Sequence, residues 1–230
     1  MIRLQAVLLL LCLPRTLGAA VTIDDFSAGP LDVTLTPSSP SSTLVQTGLP
    51  TASVIGGNRK HHAILNGPTL PGTEARIVTD TSVETYRLTS TADIEATRLD
   101  YGLGPASEPG PALDLDLSAF NAFRFDVISS VESGVTSITL RSGLNEDTPM
   151  GVTSDRFTFP ASATPYSQMI LFSSFFDLVD FSDIDFIRVQ GGGAAGLDYI
   201  LDGIFVVPEP ATLALTLLGI IALFLTRPRN

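Results

Sequence analysis

The chain is 230 residues long, with 24 acidic residues against 13 basic ones, no tryptophan and a single cysteine. Nine of the 13 basic and 23 of the 24 acidic residues lie between Val21 and Val207, which gives this stretch a net charge near −14. A charge of that size and sign repels nucleic acid and anionic lipid, so no nucleic-acid partner is expected. The one cysteine, Cys12, sits in the N-terminal apolar run, so no disulfide staples the remainder and its stability rests on core packing.

The first twenty residues have the order of a secretory signal peptide: Arg3, an apolar run from Ala6 to Leu13, Pro14, then the small residues Gly18, Ala19 and Ala20. The run is too short to span about 30 Å of hydrocarbon. Cleavage is expected after Ala20, leaving Val21 as the mature N-terminus.

From Val21 to Val206 short apolar runs alternate with Gly, Pro, Ser, Asn and Asp, and helical periodicity is almost absent. Strands are predicted at 21–26, 31–36, 43–47, 75–79, 83–90, 94–101, 122–129, 136–141, 156–159, 166–172, 184–189 and 197–206. In the run from Phe123, the side chains of Phe123, Phe125 and Val127 share one face, while Arg124 and Asp126 take the other. A dozen such runs predict an all-β fold, a β-sandwich over residues 21–206, with one short helical turn inside 175–183. The polar segment Asn58-Arg59-Lys60-His61-His62 reads as a solvated loop. Adjacent residues on a strand face opposite ways, so its two histidines are poorly placed to share a metal.

The carboxylate pairs Asp114/Asp116, Asp177/Asp180 and Asp183/Asp185 read mostly as solvating groups. A glycosidase would need two of them held across a cleft. No cysteine or serine nucleophile has a recognisable setting, and no catalytic residue is assigned. No cofactor is expected. Calcium, if it binds, is expected at Asp24, Asp25 or Asp202, because opening and closing strands of such folds lie together and could offer oxygen ligands. The run from Gly191 to Gly196 lacks the Lys-Ser or Lys-Thr of a phosphate loop and reads as a flexible hairpin. The four tyrosines fall in predicted strands, where core packing and an exposed sugar-stacking face are equally open.

The last two dozen residues begin with Val207, Pro208, Glu209 and Pro210, continue as an uncharged apolar run from 211 to 226, and end with Arg227, Pro228, Arg229 and Asn230. Sixteen residues rising about 1.5 Å each reach roughly 24 Å, a transmembrane helix with Arg227 and Arg229 on its cytoplasmic side. The prolines bar a regular continuation, so an extended, protease-accessible stretch is expected before it.

At these residues the chain resembles the PEP-CTERM family of sorting signals. The resemblance implies recognition by an exosortase, removal of the tail near residues 207–210, and delivery from the inner membrane to the cell surface or matrix of a Gram-negative bacterium. One departure is that Pro228 splits the terminal arginines.

The segment from Phe181 to Val189, a glycine-rich turn, the closing run 201–206 and the opening run 21–26 resemble secreted jelly-roll domains of the carbohydrate-binding-module type. The leading expectation is a non-catalytic cell-surface or matrix protein sorted through its tail. The alternative is a carbohydrate-binding module acting on extracellular polysaccharide, with a glycoside hydrolase behind it.

Overall fold

Period-two alternation of apolar and polar side chains organises the computed structural model, which describes residues 19–66, 70–102, 111–131, 135–142, 151–175 and 179–208. The strands are β1 (Val21–Asp24), β2 (Leu31–Leu35), β3 (Ser41–Thr47), β4 (Asn58–Leu65), β5 (Ala75–Asp80), β6 (Thr85–Ser90) and β7 (Ile94–Gly102). They continue as β8 (Ala122–Ser130), β9 (Val135–Ser142), β10 (Gly151–Thr158), β11 (Tyr166–Leu171), β12 (Ile184–Gly193) and β13 (Asp198–Val207). One sheet has the order β11-β8-β13-β6-β5-β2 with β1 also on β13, and the other has the order β10-β9-β12-β7-β4-β3. Every pairing is antiparallel. The all-β sandwich expected from the sequence is therefore present.

The inner faces supply the core. From the seven-stranded sheet come Phe123, Phe125 and Val127 of β8, Tyr86 and Leu88 of β6, and Ile204 and Val206 of β13, all at most 1% exposed. Ile138 and Leu140 of β9, Ile187 of β12 and Tyr101 of β7 meet them from the six-stranded sheet and are fully buried. Ring contacts run through this layer: Phe125 packs on Phe157 and Phe159 at 5.1 and 5.7 Å, and Phe159 reaches Tyr199 at 5.8 Å. Such aromatic pairs add to the area term that drives burial.

β13 shows how one long strand serves two neighbours. Asp198 to Leu201 pair with β6, whereas Phe205 and Val206 pair with β1, and bulges around Leu201 shift its register against β8. A bulge adds an unpaired residue and bends the strand, which lets its two halves follow different partners.

Three expectations are corrected here. Residues 58–65 form β4, a central strand, and not a solvated loop. Their burial alternates strictly because Arg59, His61, Ala63 and Leu65 point inward, so two polar side chains occupy core positions. The glycine-rich run is not a hairpin, since β12 and β13 belong to different sheets and the chain crosses the sandwich there. Gly192 is packed so closely that a Cβ would lie 2.8 Å from the carbonyl oxygen of Glu95. A 3₁₀ turn lies at Phe172–Ser174, next to the span 175–183 in which a helical turn is expected, and residues 176–178 of that span lie outside the described residues. Finally, Val207 is no part of an extended stretch: it ends β13, pairs with Ala122 and is 7% exposed.

Among the described residues no helix is long and apolar enough to cross a membrane. The leader up to residue 18, Glu209, Pro210, the apolar run 211–226, Arg227 and Arg229 all lie outside the described residues. Ala20 is exposed immediately ahead of β1, and Pro208 directly follows β13.

Candidate functional site

The expected calcium residues do not form a cluster. Asp24 is fully buried between the sheets, with both carboxylate oxygens committed to protein donors. The Phe26 N–H donates to Oδ1 at 2.9 Å, while Arg59 Nη1 and the Tyr101 hydroxyl donate to Oδ2 at 2.7 and 2.9 Å. Arg59 in turn donates to Gln46 Oε1 and to the carbonyls of Ala28 and Gly29. Burial pushes the Asp24 carboxyl above its ordinary value, opposed by the Arg59 guanidinium and the hydrogen bonds from Phe26 and Tyr101. A cation here would have to displace that guanidinium, so the centre reads as a structural ion pair joining β1 to β3 and β4. Asp25 is held in its own turn by Ser27 at 3.0 and 2.6 Å. Asp202 is exposed on the outer face of the seven-stranded sheet.

A different trio comes together. One oxygen each of Asp114, Asp183 and Asp185 lies within 4.8 Å of the other two, the only such group among the described residues. Backbone bonds from Leu113 N–H to the Asp185 carbonyl and from Leu115 N–H to the Ile184 carbonyl, both 3.0 Å, fasten the first residue's segment beside β12. Three carboxylate oxygens so placed fit the ligand type of a hard cation. The remaining expected carboxylates act locally: Asp116 accepts from Ser118 N–H at 2.9 Å, and Asp180 accepts from Ser182 N–H and hydroxyl at 2.8 and 2.6 Å. The side-chain hydroxyls and then the backbone N–H groups of Ser118 and Ser182 hold the respective carboxyls below their ordinary value. Asp177 lies outside the described residues.

The histidines separate as strand alternation requires. His61 points inward against Tyr86, 3.4 Å from its hydroxyl, and burial with the Arg59 charge lowers its pKa to about 4. His62 points outward, where its Nδ1 lies 2.6 Å from the Thr43 hydroxyl.

A broad concave surface lies on the outer face of the seven-stranded sheet. It is a groove of about 700 Å³ with Val78, Ile128 and Ile200 among its lining residues, bounded by Arg76, Arg87 and Asp80. At Ile128 it adjoins a second hollow of about 400 Å³ bounded by Arg124, Asp126, Asp202 and Tyr166. The guanidinium groups are oriented by neighbours. Arg76 donates two bonds to Asp32 at 2.9 and 2.7 Å, Arg87 donates one to Asp198 at 3.0 Å, and Arg124 lies over the Phe205 ring at 4.7 Å. Tyr86, Tyr101 and Tyr199 are core residues, at most 5% exposed, which leaves Tyr166 as the tyrosine at the surface. Sequence reasoning missed this groove because its residues come from five strands. The signal for it was the outward set of each strand, not any motif.

No protein-family model and no curated protein matches the sequence. Solved structures similar to the chain are carbohydrate-binding modules. One is the family 11 module of Clostridium thermocellum in complex with a β-1,3-1,4-mixed-linked tetrasaccharide, at 17% identity and TM-score 0.42, covering 82% of this chain and 95% of that one. Another is the family 11 module of a cellulosomal cellulase from the same organism, at 16% identity and TM-score 0.43, covering 83% and 95%. A third is the module TmCBM61 with β-1,4-galactotriose, at 12% identity and TM-score 0.29, covering 81% and 92%. At these scores the saccharides remain properties of those modules. The neighbours do correct the order of the two sequence readings: they side with the carbohydrate-binding alternative, and the reading that makes tail sorting the function is set aside.

Proposed function

We propose that the protein binds polysaccharide outside the cell, without chemical action on it, in the groove on the outer face of the seven-stranded sheet. The observation that supports this is the pairing of apolar side chains with oriented charged groups in one open channel. A sugar ring has apolar C–H faces and a rim of hydroxyls. Val78, Ile128 and Ile200 offer the first a dry contact, and the guanidinium and carboxylate groups offer the second donors and acceptors. Each guanidinium has five N–H donors, more than a single carboxylate partner uses. Tyr166, at the far end, offers an amphipathic ring that suits the same ligand. The apolar runs at 6–13 and 211–226 support an extracellular place of action.

The test is isothermal titration of the full chain with the mixed-linked tetrasaccharide and with β-1,4-galactotriose, beside Ile200→Asp. Saccharide binding that weakens at least ten-fold in the variant is expected. A chain that binds neither saccharide, or binds equally well with Asp at 200, overturns the groove reading.

A further inference from the structure

The nine basic residues between Val21 and Val207 are not spread evenly. Lys60, Arg98, Arg141, Arg156 and Arg188 occupy the outer face of the six-stranded sheet, by strand register and by alternation with buried neighbours. That face also carries Asp100, which Arg188 bonds through Nε and Nη2 at 2.7 and 2.8 Å, and the exposed Glu95 at the bulged start of β7. In a stretch with a net charge near −14, the described side chains of this face include more cations than carboxylates.

Register places the polar groups in rows across the strands. Arg156, Ser137, Gln190, Arg98, His62 and Thr43 are successive cross-strand partners from one edge of the sheet to the other. Six strands about 4.8 Å apart make this row about 24 Å long, and it contains no carboxylate. Its members hold one another: Arg98 Nε donates to Gln190 Oε1 at 3.1 Å, and Thr43 meets His62 at 2.6 Å. Burial lowers the His62 pKa, and the Arg98, Lys60 and Arg188 charges lower it further, with Asp100 opposing, a sign that positive potential converges there. Two rows away along β12, Phe186 points outward yet is fully buried, with Arg141 and Arg188 over its ring at 5.1 and 5.3 Å. Stacking of that kind fixes guanidinium planes before any ligand arrives.

We propose that this face binds an acidic polysaccharide, a linear glycan bearing carboxylates, along the rows that run across the strands. Charge complementarity selects an anion, and the hydroxyl and amide groups of Thr43, Gln190 and Ser137 between the cations suit sugar hydroxyls. The spacing argues for a sparsely charged chain. Arg98 and Arg156 are three strands apart, about 14 Å, and Lys60 and Arg188 two, about 10 Å. A nucleic-acid strand carries a phosphate about every 3.4 Å of axis, and the exposed aromatics that stack bases are absent among the described residues of this face. Among the described carboxylates, Asp32, Asp80, Asp126, Asp198 and Asp202 lie on the opposite face, behind two sheets about 10 Å apart. Salt at physiological strength screens over about 8 Å, so local attraction prevails at contact.

The test uses the full chain, with polygalacturonate as the probe and its fully methyl-esterified form as the uncharged control. Binding of polygalacturonate is expected to be at least ten-fold tighter than binding of the ester and to weaken steeply with added salt. Arg98→Gln with Arg156→Gln should cost at least ten-fold in polygalacturonate affinity at an unchanged melting temperature. If that pair fails to fold, Lys60→Gln with Arg156→Gln serves the same purpose. Arg76→Gln with Arg87→Gln, on the opposite face, should leave polygalacturonate binding intact, which separates this inference from the groove reading. Equal binding of acid and ester, a loss confined to the opposite-face variant, or tighter binding of a DNA duplex than of polygalacturonate overturns it.

Discussion

The two outer faces of the sandwich use the same side chains to opposite ends. Each has a bidentate Arg–Asp pair across neighbouring strands, Arg76–Asp32 on the seven-stranded sheet and Arg188–Asp100 on the six-stranded one. The first pair stands in solvent, 53% and 57% exposed, in a groove with further carboxylates at Asp80, Asp126 and Asp202. The second is sunk among neighbours, 13% and 4% exposed, on a face where, among the described residues, cations outnumber carboxylates. An identical contact therefore orients a charge on one face and neutralises a buried carboxylate on the other. Burial and the local balance of charge decide which, and the residue types do not.

The largest effect is expected between the two faces, where burial is complete. Arg59→Met would leave the buried Asp24 carboxyl without its cation, and losing one partner of a buried pair costs about 3–5 kcal/mol. Denaturant unfolding should show that loss. A change below about 1 kcal/mol would mean that the centre is not an ion pair and that burial does not rank these contacts.

Next is the sunken pair. Arg188→Gln should cost about 3 kcal/mol, near the lower limit for a buried pair because Arg188 keeps some solvent. If it costs no more than the exposed pair, the contrast between the faces is broken.

Acid should then sharpen the picture through His61. Its folded pKa, about 4, is below the unfolded 6.5, because burial and Arg59 disfavour the charged ring. The unfolded chain therefore binds the proton first, and stability present above about pH 6.5 is lost as pH falls toward 4. At pH 5 the loss from this group should be about 2 kcal/mol. Removing the titrating ring should flatten the profile over that window, and an unchanged profile in His61→Phe would assign the loss elsewhere.

The smallest effect is expected for Arg76→Gln, whose exposed ion pair is solvated and screened, so its denaturant midpoint should match that of the unsubstituted chain. A lower midpoint would show that the groove wall is structural and not poised for a ligand.

Much of the sandwich was legible because alternation is a local signal. Phe123, Phe125 and Val127 point inward as their spacing requires, and Asp126 points outward, where it accepts from Ser167 at 2.7 Å. β4 was not legible, since Arg59 and His61 occupy core positions through partners far away in sequence. Arg59 finds Asp24 and Gln46 only once β1 and β3 are in place. The same reason hid the trio of Asp114, Asp183 and Asp185, whose members were read in separate pairs. The glycines at 191–193 looked like a loop because composition cannot distinguish a flexible turn from a strand that another backbone approaches closely. The basic face was hidden by the opposite problem: a net charge averages over the surface, and only register shows that five cations share one side.

The most direct measurement of the two-face account is a salt series on the full chain, titrating the mixed-linked tetrasaccharide and polygalacturonate separately from about 0.05 to 0.5 M salt, where the screening length falls several-fold. Affinity for polygalacturonate should drop by at least ten-fold while affinity for the neutral saccharide stays level, and saturation with one ligand should leave the other's binding unchanged. Parallel salt curves, or mutual displacement, would contradict the account by placing both ligands on one surface.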